Sequence, residues 1–254
     1  MMEWLEAGVF EMPTTAETRV NGTVIRYETE ILKTIEPNLF DVDWLRSNGY
    51  WQGSTRGRSQ AHFLRYADHD MVLRHFNRGG LIGRVNRDLY LGVNAAKSRA
   101  LSEFDLLAML RAQGLAVPRP VAARYVPVGP FYRADIITQR IPSAQTLAEI
   151  LRDTGLSSNL WTAIGTAVGT LHNHQVFHSD LNCRNIMIDS DDMVWLIDFD
   201  KCWKREAGSW MQDNLDRLER SLKKAATEFA ELNWCRKDWD DLLSGYASQT
   251  NSRA

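Results

Sequence analysis

His172-Asn-His-Gln-Val-Phe-His178-Ser-Asp180-Leu-Asn182-Cys-Arg-Asn185-Ile-Met-Ile-Asp189 is followed, after six further residues, by Leu196-Ile-Asp198-Phe-Asp200-Lys-Cys202. Three polar residues stand at fixed offsets here: Asp180, Asn185 five positions on, and Asp198 eighteen positions after Asp180. Val194–Asp198 reads as a short apolar strand after the polar turn Asp189–Asp192. The stretch therefore carries two carboxylates and an amide in the loops between a helix and a strand.

Outward from this stretch, the chain changes character near residue 140. Before it, 21–36 alternates weakly, 41–48 suggests a short helix opened by Asp41 or Asp43, and 61–66 and 71–76 suggest a hairpin. Apolar residues recur with helical spacing from Lys97 to Gln113, and Gly114, Pro118 and Pro120 stop that helix. Residues 121–126 and 131–139 read as strands. After Pro142 the pattern predicts helices over 145–152, 159–175, 209–230 and 236–247. The expectation is an α+β, two-lobed protein-kinase-like fold. A strand-rich N-lobe spans 1–139 and a small helical C-lobe spans 140–254.

Composition narrows the setting. The 254 residues are 44% apolar, enough for a packed core. Three cysteines without metal-ligand spacing argue against a disulfide framework and for a reducing compartment. No signal peptide or membrane-spanning run is expected. The net charge of −2 conceals a segment, 51–140, with 14 Lys/Arg against 6 Asp/Glu. That segment is either a solvated face or a surface for polyanions such as nucleotide phosphates, nucleic acid or anionic lipid.

The residue types suit phosphoryl transfer, which needs an oriented hydroxyl, metal ions on the phosphates and surrounding cations. Asp180 is the candidate base, and Asn185 and Asp198 are candidate Mg²⁺ ligands. His178 is expected to support the loop. His172 and His174 have no obvious partner in the sequence and read as helix-end residues rather than metal ligands. Gly53-Ser-Thr-Arg-Gly57 precedes the predicted hairpin, where small residues let backbone N–H groups approach ATP phosphates; an ordinary connecting loop is the alternative. Arg74 stands where kinases carry a phosphate-binding strand Lys, and Glu103 on the next helix is its candidate partner. The backbone of Ile136-Ile137-Thr138-Gln139-Arg140-Ile141 is placed to bond an adenine edge, with Thr138 and Ile141 at its ends.

Ser179 and Asn182 replace the Arg and Lys that flank the catalytic Asp of protein kinases, and Asp198-Phe-Asp200 lacks their Gly. Only a short stretch separates Asp198 from the helix at Trp210, too little for a protein-substrate activation segment. A small-molecule or glycolipid acceptor fits better.

Taken with Leu-Arg-His-Phe-Asn-Arg-Gly-Gly-Leu-Ile-Gly (73–83), Glu-Phe-Asp-Leu-Leu (103–107), Trp-Leu-Ile-Asp-Phe-Asp-Lys-Cys (195–202) and Asn-Leu-Asp-Arg-Leu-Glu-Arg-Ser-Leu (214–222), the chain resembles the 3-deoxy-D-manno-octulosonic acid (Kdo) kinases, a lipopolysaccharide kinase family. The likeness covers about residues 38–245, with Ser59 and Gln139 as departures. The resemblance implies ATP-dependent phosphorylation of the 4-hydroxyl of a Kdo sugar on lipid A precursor. It also implies a peripheral position at an anionic membrane surface, the cytoplasmic face of the bacterial inner membrane. No nucleic-acid partner is expected. Arg78, Arg84 and Arg87 are candidates for anion contact. The helix near 213–229 either packs into the C-lobe or lies at the membrane interface. A heptose or other sugar kinase and a nucleotide-binding pseudokinase are the competing readings.

Overall fold

A computed structural model of the protein describes residues 14–55, 61–76, 89–92, 94–228 and 232–250. Strands β1 (Thr15–Val20) and β2 (Thr23–Glu28) form a hairpin. Its two-residue turn, Asn21-Gly22, has positive φ at both positions (52° and 79°), as a twisted hairpin turn requires. The strand expected within 21–36 is thus only its first half. Polar β1 carries no apolar alternation and escapes a pattern search.

A 3₁₀ turn at Pro37–Phe40 leads into α1 (Val42–Ser47), whose N-cap Asp41 accepts from the N–H groups of Asp43 and Trp44. Then follow β3 (Trp51–Ser54), β4 (Ala61–Tyr66), β5 (His69–His75), β6 (Tyr90–Leu91), α2 (Arg99–Ala112), β7 (Pro120–Val128) and β8 (Phe131–Gln139). These strands make one antiparallel sheet in the order β1-β2-β7-β8-β5-β4-β3, with β6 on β8. The hairpin and the long helix appear where the sequence places them.

The remaining elements are β9 (Gln145–Thr146), α3 (Leu147–Asp153), α4 (Ser158–Asn173), β10 (Val176–Phe177), β11 (Ile186–Ile188), β12 (Val194–Leu196), β13 (Trp203–Lys204), α5 (Trp210–Glu228) and α6 (Arg236–Thr250). Thr146 and Glu149 close a capping box on α3. Helices α4 and α6 touch backbone to backbone at Gly165 and Gly245, where an added Cβ would overlap the carbonyls of Leu242 and Thr162.

Two apolar clusters organise the chain. One lies under α1, joining Leu39, Phe40 and Leu45 to Leu64, Leu73 and Ile137 of the sheet. The larger runs from Phe104 and Leu107 of α2 through Trp161, Ile164, Leu181 and Phe199 to Leu218 and Leu242. This continuous burial fixes α2 and α5 against the loops between β10 and β13. All three cysteines are free, with Cys183 and Cys202 buried and Cys235 exposed.

Candidate active site

The loop from β10 to β11 is held by one buried imidazole. His178 Nδ1 accepts from the N–H of Asp180 at 3.2 Å, and its Nε2 lies 3.1 Å from the carbonyl oxygen of Ile197. The first bond requires an unprotonated Nδ1 and the second a protonated Nε2, so the ring is neutral with its proton on Nε2. Burial pushes its pKa down, in the same sense.

Asn214 on α5 clamps the same residue. Its Nδ2 donates to the His178 carbonyl at 2.9 Å, and its Oδ1 accepts the His178 N–H at 3.2 Å. Oδ1 also lies 3.3 Å from Nε2 of His172, whose Nδ1 is 3.0 Å from the Tyr246 hydroxyl. His172 and His174 do end α4, as the last turn and C-cap, but His172 has two side-chain partners. His172 is fully buried and ties α4 to α5 and α6, and burial pushes its pKa down to about 4. Nothing in its spacing announces this, because its partners lie far along the chain.

The Asp180 carbonyl accepts from the side-chain amides of both Asn182 and Asn185 at 2.9 Å. Asn182, which replaces the protein-kinase Lys, is thus spent on shaping the turn. The Asn185 carbonyl receives the N–H of Ile197 at 3.0 Å, which makes Asn185 a neighbour of the strand end carrying Asp198. Asp198 adopts φ of 64°, a left-handed conformation that Asp tolerates better than most residues.

Across the interlobe side, Arg74 donates to Oδ1 of Asp198 and to Oε1 of Glu103. The expected Arg74–Glu103 pair is present, and it is no ordinary surface pair, since Glu103 is only 4% exposed. Burial pushes the Glu103 carboxyl up, against the pull of Arg74. A second bridge, not anticipated from sequence, runs from Arg99 to Asp200, with Nε to Oδ1 at 2.7 Å and Nη2 to Oδ2. Arg99 Nη1 also donates to the Tyr90 hydroxyl at 2.7 Å. Ser179 Oγ donates to the Asp200 carbonyl at 2.6 Å, and burial pushes the Cys202 thiol behind it up to about 12.

Asp180 has its own cation. Oδ1 accepts from Arg217 of α5, from Nε at 3.1 Å and from Nη2 at 2.5 Å. Both side chains are about half exposed.

The nucleotide-side candidates divide. Gly53 lies inside β3 rather than in a loop, at a register shift against β4, with φ of 145° that favours glycine. A Cβ there would meet only the Phe63 ring, at 4.0 Å, so that face of the strand is open. Gly57, Ser59, Arg78, Arg84 and Arg87 lie outside the described residues. Thr138 pairs with Val72 in register and, like Ile141, is half-buried. The intervening N–H groups are used within the protein, Gln139 to the Arg119 carbonyl at 2.8 Å and Arg140 to that of Asp70 at 2.9 Å.

The antiparallel sheet, the helix-borne Glu on a strand Arg, and the Asp/Asn/Asp constellation beneath them define a phosphotransferase of protein-kinase-like fold. The chain belongs to the lipopolysaccharide kinase (Kdo/WaaP) family, whose model matches residues 42–246. A relative named 3-deoxy-D-manno-octulosonic acid kinase from Vibrio vulnificus (strain CMCP6) is 40% identical over 89% of this chain and 95% of its own length. One of the same name from Mannheimia succiniciproducens is 38% identical over 82% of this chain and 95% of its own. Among solved structures, WbdD co-crystallised with the kinase inhibitor LY294002 is similar at a TM-score of 0.46 and 13% identity, over 79% of this chain and 45% of that one.

Proposed function

We propose that this protein transfers the γ-phosphate of ATP to the 4-hydroxyl of a Kdo sugar on lipid A precursor. The observation that carries the chemistry is the convergence of Asp180, Asn185 and Asp198, joined by the Asn185–Asp180 and Asn185–Ile197 bonds. Family membership carries the acceptor.

The Asp180 carboxylate is half-exposed, so an acceptor hydroxyl can reach it. It accepts the hydroxyl proton as that oxygen bonds to the γ-phosphorus and the bond to ADP breaks. The hard-oxygen donors Asn185 and Asp198 suit Mg²⁺, which keeps few protein ligands and takes the rest from phosphate and water. Arg74 engages Oδ1 of Asp198, and Oδ2 would be the oxygen offered to such an ion. When bound, Mg²⁺ would neutralise phosphate charge; these residues would hold it.

A peripheral position at the cytoplasmic face of the inner membrane belongs to the same proposal. No helix among the described residues is long and apolar enough to cross a membrane. The apolar face of α5 is not available for lipid, since Leu215, Leu218 and Leu222 are buried in the C-lobe. What supports an anionic lipid surface is the exposed basic side of α5, with Arg220, Lys223 and Lys224, and exposed Trp203.

Mass spectrometry of defined lipid A precursors, incubated with enzyme, ATP and Mg²⁺, tests the reading. One phosphate added to Kdo-bearing precursor is expected. Transfer only to heptose-bearing core would replace the acceptor assignment.

A further inference from the structure

We infer that Arg217 recognises the carboxylate of the acceptor sugar and so selects an acidic sugar at this site. The inference deepens the proposed Kdo kinase activity and rests on it.

Helix α5 presents a row of polar residues to the catalytic loop at helical spacing. Asn214 clamps His178, Arg217 reaches Asp180, and the Ser221 hydroxyl accepts the Cys183 N–H at 3.0 Å. Leu215, Leu218 and Leu222 anchor the same helix in the core. Arg217 is thereby placed with the precision of the loop itself. A half-exposed ion pair of this kind adds little to stability, so folding does not explain the arrangement.

Three other arginines around the loop are occupied. Arg74 serves Glu103 and Asp198, Arg99 serves Asp200, and Arg184 pairs with Glu228 at 2.5 Å. Arg217 directs Nε and Nη2 at a single oxygen of Asp180. Among the described residues no other acceptor reaches its guanidinium, so Nη1 and the second Nη2 proton form a fork that matches a carboxylate. The acceptor hydroxyl must come within about 3 Å of Asp180 to surrender its proton. In Kdo a single ring carbon separates the carbon bearing that hydroxyl from the carbon bearing the carboxylate. A hydroxyl on Asp180 therefore sets the sugar's carboxylate beside Arg217, which can hold both anions at once.

The test is a coupling measurement. A soluble Kdo glycoside and its carboxamide are compared as acceptors for wild type, Arg217→Gln and Arg217→Lys. Wild type should prefer the carboxylate by on the order of 10²-fold in kcat/KM, as for loss of a charged hydrogen-bonded partner. Arg217→Gln should treat the two acceptors alike within about threefold, and Arg217→Lys should retain part of the preference. Unchanged nucleotide binding and melting temperature show that the variants are folded. If turnover of Arg217→Gln is too slow, equilibrium binding of both acceptors to Asp180→Asn, with and without Arg217→Gln, reads the same coupling. A preference that survives Arg217→Gln overturns the inference while leaving the kinase reading intact. Failure of wild type to phosphorylate any Kdo acceptor removes the kinase reading and this inference together.

Discussion

Arg74 and Asp198, 124 positions apart, are joined through one guanidinium that also holds Glu103. The strand, the long helix and the loop carrying Asp198 are thus coupled through a single side chain. A buried carboxylate is tolerated only while its partner is present, because desolvation of the charge is otherwise unopposed.

Arg74→Ala should therefore cost stability as well as activity. Breaking a buried pair costs about 3–5 kcal/mol, and the urea midpoint should fall accordingly. Arg74→Lys restores the charge but not the two-pronged reach, so it should recover part of the stability and less of the turnover. A midpoint within about 1 kcal/mol of wild type for Arg74→Ala would contradict the coupling.

Asp180→Asn should lower kcat by about 10²–10⁴-fold, the range for loss of a general base. Its backbone bonds to Asn182, Asn185 and His178 do not involve the carboxylate. ATP affinity, read by titration calorimetry, should stay within about threefold of wild type. Wild-type turnover in this variant would sink the base assignment.

The His172 network predicts an acid-side loss of stability. Its pKa is depressed to about 4 from 6.5 in the unfolded chain. The folded state thus favours the neutral ring, and this stabilisation is complete above the unfolded value. It is lost as pH falls from 6.5 through about 4, for a total of about 3 kcal/mol. Burial depresses His178 in the same direction. Urea unfolding between pH 4.5 and 8 should show the slope, and His172→Gln should flatten it relative to wild type. Parallel curves for the two proteins would refute the assignment.

Gly165→Ala and Gly245→Ala should each part α4 from α6, since either methyl group meets a carbonyl of the facing helix. A loss of about 1–3 kcal/mol or more is expected, the scale of forced overpacking. The neighbouring Ala163→Gly, on α4 but away from that contact, should cost only about 1 kcal/mol. Thermal melts of the three variants check the order.

How much was legible follows the range of each interaction. The helix over Arg99–Ala112, the β4–β5 hairpin and the Asp41 cap are local features, written in periodicity and turn residues. β1 was invisible because its strand is polar on both faces and owes its existence to pairing with β2. Glycine usually signals a turn, which points to a loop at Gly53, whereas the strand absorbs it at a register shift.

The turn from Asp180 to Asn185 is written in local spacing. The offsets among Asp180, Asn182 and Asn185 close the turn through bonds spanning at most five positions, so spacing alone suffices to place them. Which cation each carboxylate meets depends on long-range packing: Arg74 for Asp198, Arg99 for Asp200 and Arg217 for Asp180. Those choices depend on how α2 and α5 are rotated about their axes. That rotation is set by burial of Leu101, Phe104, Leu218 and Leu222 in a common core, and no local spacing encodes it.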